Sequence, residues 1–111
     1  MYLKLAAGGP EGNLVYATNN NAMLELNNVI VDSSASEGSA IYTKGNLTIS
    51  ASNGQSTNMQ SNNAVNYVDV FVDGEGEKYL SLIANDHSKV VLNSGIKFGE
   101  NVDLKLDVNR I

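Results

Sequence analysis

The single histidine lies in the sequence Asn85-Asp86-His87-Ser88. These residue types could supply the nucleophile, the general base and the orienting carboxylate of a catalytic triad. A triad requires side chains that converge from separate chain segments, so that each hydrogen-bonds to the next. Consecutive residues of one loop do not meet that geometry. We therefore expect His87 to be an exposed corner residue, and we assign no catalytic residue.

The segment 69–78, DVFVDGEGEK, contains the best candidate metal ligands. In it, Asp73, Glu75 and Glu77 alternate with two glycines. Carboxylate oxygens are ligands that Ca²⁺ prefers. The segment lacks both the twelve-residue EF-hand spacing and the glycine-aspartate nonapeptide of calcium-binding β-rolls. The alternative is a solvated acidic turn between two strands. With one His and no Cys in the chain, zinc is not expected, and no metal or cofactor is assigned.

Carboxylate pairs could cleave a polysaccharide, since glycoside-cleaving enzymes use two Asp or Glu side chains. Asp32 and either Asp69 or Asp73 could form such a pair if the fold brings them together. Lys44 and Lys78 are the basic residues that could accompany them.

Aromatic side chains could stack on sugar rings, and the residues clustered in the sequence are Tyr67, Phe71 and Tyr79. A carbohydrate-binding or polysaccharide-cleaving domain is therefore the alternative function. A lateral groove lined with aromatic and acidic residues would favour it.

Composition limits the remaining classes of function. The 111 residues are 42% hydrophobic, which fits one domain with a modest core. The net charge of -5 and the scattered seven basic residues argue against nucleic acid, whose phosphates need clustered Lys and Arg. No apolar run reaches the roughly 20 residues of a spanning helix. Residues 1–13 lack the regions of a signal peptide, so the chain is either intracellular or, as we prefer, a segment of a larger secreted protein.

Short β-forming runs separated by corners make up most of the chain. Asn and Gly are frequent, and both residue types favour turns because they tolerate left-handed backbone conformations. Most of the runs between them alternate apolar with polar residues, which predicts strands with one buried face. No segment has a sustained helical period. The predicted strands are 13–17, 22–26, 28–31, 40–43, 46–49, 65–72, 79–83, 89–92 and 102–108.

Apolar pairs recur along the chain at nearly constant steps, which is typical of a solenoid whose stacked coils place inward side chains above one another. A β-sandwich is the alternative fold and would leave these steps without a cause. The spacing predicts an all-β parallel β-helix of about five coils. One step relates Leu24 and Leu26 to Leu47 and Ile49, and these to Val70 and Val72; a slightly longer step relates Leu80 and Leu82 to Leu104 and Leu106, and Ala40-Ile41 to Ala64-Val65.

The stretch GSAIYTKGNLTIS, residues 38–50, has two interpretations. As part of a coil, its two strands lie in different sheets, with a bend at residues 44–46 and with Leu47 in register with Leu24 and Val70. As a β-hairpin, which Gly-Asn in a short connection also favours, Ile41 and Leu47 share one sheet.

Two tetrapeptides and one longer segment carry a family resemblance. GSAI at 38–41 resembles the Gly-Gly-Ala-Ile repeat, with Ser39 in place of the second glycine, and FGEN at 98–101 resembles the Phe-x-x-Asn repeat of polymorphic outer-membrane proteins and related autotransporter passengers. GNLTISASNG at 45–54 is similar to repeats of haemagglutinin-like secreted adhesins. The resemblance implies a right-handed parallel β-helix exported to the bacterial surface.

The motif residues have structural roles in such a coil. Gly38 permits a tight corner, while Ala40 and Ile41 fit inside a narrow coil. Phe98 is expected to fill a coil interior. Asn101 is expected to stack with Asn residues of neighbouring coils and to satisfy buried backbone groups.

These features predict a function outside catalysis. We expect residues 1–111 to form one solenoid domain, a structural and adhesive segment of an extracellular bacterial surface protein. Its expected partner is a protein or glycan on a host or neighbouring cell, with no nucleic acid and no membrane insertion. Because the ends of a solenoid expose unpaired strand edges, copies are also expected to associate end to end.

Overall fold

A computed structural model describes residues 3–6, 15–32, 39–61, 68–85 and 87–110. These residues form twelve strands and no helix. The strands are β1 Leu3–Ala6, β2 Val15–Ala17, β3 Met23–Asn27, β4 Val29–Asp32, β5 Ile41–Thr43, β6 Asn46–Ala51, β7 Ser56–Gln60, β8 Val70–Val72, β9 Gly76–Ala84, β10 Lys89–Leu92, β11 Ile96–Phe98 and β12 Val102–Arg110. Within this part of the chain, no helix is long and apolar enough to cross a membrane.

The strands form three parallel sheets of four. Sheet A has the order β1-β4-β7-β10, sheet B has β2-β5-β8-β11 and sheet C has β3-β6-β9-β12. Every third strand returns to the same sheet, so the chain winds as a parallel β-solenoid and the predicted fold class is confirmed. The β-sandwich alternative is wrong because the paired strands are parallel. The predicted five coils are too many, since the chain completes about three turns.

The strands form where alternation gives each one a buried face. In β6 the side chains of Leu47, Ile49 and Ala51 are buried and those between them are half-buried. Inward side chains of successive coils then stack in columns, of which one contains Leu24, Leu47, Leu80 and Leu106. Burying one such leucine stabilises the fold by about 1.5–3 kcal/mol, so these columns supply most of the core.

The predicted register is correct in its first step only. Leu24 pairs with Leu47, but Leu47 then pairs with Leu80 rather than with Val70. Val70 lies in sheet B and pairs with Ile41.

The predicted step from Leu80 to Leu104 is also wrong, because Leu80 pairs with Leu106. The predicted match of Ala40-Ile41 with Ala64-Val65 involves residues outside the described part of the chain. Coil length therefore varies, because corners and loops of different size separate the strands.

Strand β7 was not predicted because its sequence, STNMQ, is polar. Thr57 and Met59 nevertheless occupy fully buried positions. The Thr57 hydroxyl donates to the Ser50 carbonyl at 2.6 Å and accepts from the Val29 N–H at 3.2 Å. A buried polar side chain is tolerated when it is hydrogen-bonded, and here it satisfies backbone groups at a corner. Strands β1 and β11 were also not predicted.

The stretch 38–50 is part of a coil, as the first interpretation predicted. Ile41 lies in sheet B and Leu47 in sheet C, with the corner at Lys44-Gly45. A Cβ atom at Gly45 would collide with the backbone of Ala22 in the preceding coil. The two coils approach closely at this corner because the Asn46 N–H donates to the Ala22 carbonyl at 2.8 Å. Glycine is therefore required here for the approach of two coils.

The motif residues differ in their outcome. Ala40 and Ile41 are fully buried, as predicted, while Gly38 lies outside the described residues. Phe98 is in register with the buried Val72 but is 53% exposed, because no described strand covers β11.

Asn101 is exposed, and its backbone carbonyl accepts from the Gly76 N–H at 3.0 Å. A side-chain contact between Asn residues of neighbouring coils occurs instead between Asn93 and Asn58, at 2.7 Å.

Candidate functional site

One outward-facing residue from each strand of sheet B contributes to a ladder of three aromatic rings and one lysine. We call this ladder the aromatic face, and its members are Tyr16, Tyr42, Phe71 and Lys97. They are consecutive partners across β2, β5, β8 and β11. The rings of Tyr16 and Tyr42 are stacked with centroids 5.2 Å apart. Those of Tyr42 and Phe71 are tilted by 56° at 5.3 Å. The Lys97 ammonium lies 5.2 Å from the Phe71 centroid, within the range of a cation–π contact.

Asp73 fixes the centre of the aromatic face. The Tyr42 hydroxyl donates to its carboxylate at 2.6 Å, a short distance typical of a charge-assisted hydrogen bond. The following residue, Gly74, has a φ of +89°, and a Cβ there would lie 2.5 Å from Asn20 Oδ1 and 2.7 Å from the Lys44 carbonyl. This corner therefore packs closely against two neighbouring coils, which holds Asp73 in place.

The three acidic residues considered as calcium ligands contact different neighbours. Asp73 accepts from Tyr42, whereas the Glu77 carboxylate accepts from the Tyr79 hydroxyl. The backbone N–H of Glu75 donates to the Asn20 side chain at 2.9 Å. In the part of the chain described, no group of three or more His, Cys, Asp or Glu side chains is assembled as a metal site.

The carboxylates considered as a pair lie in different surroundings. Asp69 is fully buried and accepts from the N–H groups of Ser61 and Gly95, each at 2.9 Å, and also from Ser94. These bonds make it a structural anchor between coils. Asp32 ends a strand of sheet A, whereas Asp73 follows a strand of sheet B.

The two lysines named as companions differ in exposure. Lys78 is 4% exposed and donates to the Asn20 carbonyl at 2.6 Å. Its ammonium therefore forms a structural contact between coils. Lys44 lines an open polar cleft of about 410 Å³ together with Asn20, Asp73 and Asn101. The cleft lies at a corner between coils. Of its two acidic residues, Asp73 accepts from the Tyr42 hydroxyl, and Glu75 also lines the cleft.

His87 is an exposed corner residue with a φ of 62°, as predicted. Its neighbour Ser88 is 6% exposed, and the Ser88 hydroxyl accepts from the Gly54 N–H at 3.0 Å. Asp86 lies outside the described residues. The turn thus positions Ser88 for a contact between coils.

A groove of about 450 Å³ runs across sheet C, bounded by Met23 and Tyr79 and containing Thr48 and Ser81. The Asn46 side chain accepts from the Tyr79 N–H at 2.8 Å and connects two coils beneath it. The hydrogen bond and the negative charge of Glu77 raise the pKa of Tyr79 above 10.0, because both favour the neutral phenol.

The predicted aromatic cluster is not formed by the residues that were named. Phe71 belongs to sheet B and Tyr79 to sheet C, while Tyr67 lies outside the described residues. Sequence reasoning missed Tyr16 and Tyr42. Each lies at the centre of a three-residue strand, between two inward residues, and that shared position was the available signal.

Comparison with protein-family models, with curated proteins and with solved structures finds no match for this chain.

Proposed function

We propose that the chain is a non-catalytic adhesive segment of an extracellular bacterial surface protein of the autotransporter-passenger type. The solenoid would act as a stiff spacer. Its aromatic face would contact a protein or glycan on a host or neighbouring cell. The observation that carries this proposal is the ladder of Tyr16, Tyr42 and Phe71 on the outer face of a parallel sheet.

The aromatic face is preorganised for binding. Its rings contact one another, with Tyr16 stacked on Tyr42 and Phe71 tilted against Tyr42. The bond between Tyr42 and Asp73 anchors them, so little side-chain entropy remains to be lost when a ligand binds. Tyr side chains combine a large apolar surface with a polar tip, which suits them to protein and sugar contacts. Lys97 adds a cation at one end of the ladder.

The proposal is tested by measuring binding of the labelled chain to bacterial and epithelial cells and to an array of glycans. Phe71→Ala removes the ring between Tyr42 and Lys97 and should weaken binding about tenfold, the effect of losing roughly 1.4 kcal/mol. Tyr79→Ala is the matched control, because it removes an exposed ring from sheet C. Binding that survives Phe71→Ala while the fold is intact by circular dichroism would contradict the proposal.

The groove on sheet C favours a second function, binding of a carbohydrate chain. Tyr79 is 53% exposed and Met23 is 82% exposed, so a sugar ring could stack between them. Thr48 and Ser81 supply hydroxyl groups and Glu25 a carboxylate in the same groove. Here Tyr79→Ala should abolish oligosaccharide binding and Phe71→Ala should not, which distinguishes the two faces in the same array experiment.

A further inference from the structure

The C-terminal end of the solenoid exposes side chains that belong to core columns. Leu106 is in register with Leu80, which is fully buried, yet Leu106 is 53% exposed. Val108 follows Leu82 in the next column and is 68% exposed, and Phe98 repeats this difference in sheet B. These are the largest exposed apolar residues of the final coil. No described strand covers the core columns on this side.

A cleft of about 220 Å³ opens at this end between sheets A and C. It is lined by Leu82, Val90, Leu92 and Val108, with Lys89 and Asn109 at its rim. An apolar cleft with a polar rim is typical of an interaction surface. The edge strands β10, β11 and β12 also have no described neighbour on their outer side, and free strand edges favour pairing with another strand.

The N-terminal end of the same chain matches this surface in strand length. Strands β1 and β10 have four residues each, and β2 and β11 have three each. In sheet C the five residues of β3 lie within the length of β12. A second copy placed beyond β12 would therefore continue all three sheets with parallel strands.

Side-chain size is also complementary between the two ends. Continuing the column of Thr43, Val72 and Phe98 places Phe98 against Ala17 of a second copy. The largest residue of this column thus meets the smallest. In sheet C, the column that ends at Leu106 begins again at Leu24, which is apolar and half-buried.

The aromatic face supports the same register. Lys97 follows Phe71 in the ladder, and the next position belongs to Tyr16 of the second copy. The Lys97 ammonium would then lie between two aromatic rings, extending the cation–π contact that it makes with Phe71.

We propose that the C-terminal end of this chain binds the N-terminal end of a second copy, in register, so that copies associate head to tail. This interface is heterologous, and repeated association therefore extends into a filament rather than closing at a dimer. The inference concerns residues 1–111 as a separate chain, and it goes beyond the adhesive function and does not depend on it.

Charge makes the association dependent on salt. Asp107 of one copy would face Glu25 of the next, and each chain has a net charge of -5. Like charges directly opposite one another on adjacent strands are destabilising, and salt screens exposed charges. Association is expected to strengthen as ionic strength rises.

Sedimentation velocity over a range of protein and salt concentrations tests the proposal. The wild-type chain should form a ladder of oligomers whose size grows with concentration. Leu106→Asp should weaken association at least about tenfold, because a carboxylate would be buried. Tyr79→Asp is the matched control, since Tyr79 is equally exposed at 53% but lies on the side of the solenoid. A wild-type chain that stays monomeric under all these conditions would overturn the proposal.

The head-to-tail direction of association is tested with a second variant, Ala17→Arg, which blocks the N-terminal end of the solenoid. Each blocked variant alone should be monomeric, and an equal mixture should give a dimer that grows no further. If Leu106→Asp abolishes association and Ala17→Arg leaves it intact, the copies meet tail to tail and the proposed interface is wrong.

A cysteine pair provides a test that does not depend on blocking variants. The chain has no cysteine, and Tyr16 and Lys97 within one chain are three strand spacings apart, roughly 14 Å. That distance is too long for a disulfide. The double variant Tyr16→Cys with Lys97→Cys should therefore oxidise to a ladder of linear oligomers. Oxidation to monomers or to dimers alone would overturn the in-register arrangement.

Discussion

The interior coils and the final coil differ in burial although their residues occupy the same columns. Leu80 is fully buried in β9, and Leu106, its partner in β12, is 53% exposed. Val72 and Phe98 show the same difference in sheet B. Residue type is apolar in both places, so the pattern of the strand does not decide burial. A neighbouring coil does, because each layer of a solenoid is covered only by the layers adjacent to it.

The largest effect is expected when the two leucines of this column are shortened. Leu80→Ala should lower the free energy of unfolding by about 4 kcal/mol, since it leaves a cavity, and Leu106→Ala by about 1 kcal/mol. Denaturant unfolding at low protein concentration measures both. Equal losses would show that another part of the protein covers Leu106.

Two glycines extend the comparison to the corners. Gly45 lies against the backbone of Ala22, whereas nothing is within 4 Å of a Cβ placed on Gly54. Gly45→Ala should cost about 3 kcal/mol because two coils must separate. Gly54→Ala should cost about 1 kcal/mol, the strain of its φ of +73°. Thermal unfolding of both variants gives the order, and a milder effect at Gly45 would contradict the close approach.

Two asparagines with similar backbone conformation separate conformational strain from hydrogen bonding. Asn28 and Asn53 have φ values of 57° and 56°. The buried Asn28 side chain accepts from the Ser52 N–H at 2.8 Å and donates to the Ser52 hydroxyl at 3.1 Å. Asn28→Ala should cost about 2 kcal/mol and Asn53→Ala about 1 kcal/mol. Comparable values in denaturant titrations would mean that the contact between coils contributes nothing.

The smallest effect is expected at Tyr79, on the exposed side of sheet C. Its pKa is raised above 10.0 by Glu77, so Glu77→Gln should lower that pKa in a spectrophotometric titration. The raised pKa favours the folded state below pH 10, and this contribution is lost as pH rises through the folded value. Glu75→Gln is a suitable control, because Glu75 is not among the groups that raise the pKa. A Tyr79 pKa that Glu77→Gln leaves unchanged would contradict the assigned contact.

Alternation in the sequence predicted most of the strands but not the pairing between them. The apolar-x-apolar pairs identified β3, β6, β8, β9 and β12 as strands with one inward face. They also suggested a constant coil length, whereas the step from Leu47 to Leu80 is much longer than the step from Leu24 to Leu47. Each interval contains one strand of sheet A and one of sheet B, but residues 52–55 separate β6 from β7, whereas a single residue separates β3 from β4.

The candidate site was less predictable than the fold. Tyr42 and Phe71 are distant in the sequence and meet because β5 and β8 pair. The carboxylate of Asp73, a candidate calcium ligand in the sequence, accepts a hydrogen bond from the Tyr42 hydroxyl in the structure. Both contacts depend on register across coils, which short sequence motifs do not contain.

The order of apolar and polar residues is enough to predict short strands with one buried face, stacked as coils. This follows because side-chain direction in a strand alternates with every residue. The pairing of residues between coils, the burial of the polar Thr57 and the exposure of Phe98 depend on the folded chain. Those outcomes depend on backbone groups and neighbouring layers that come from distant parts of the chain, so no local pattern can specify them.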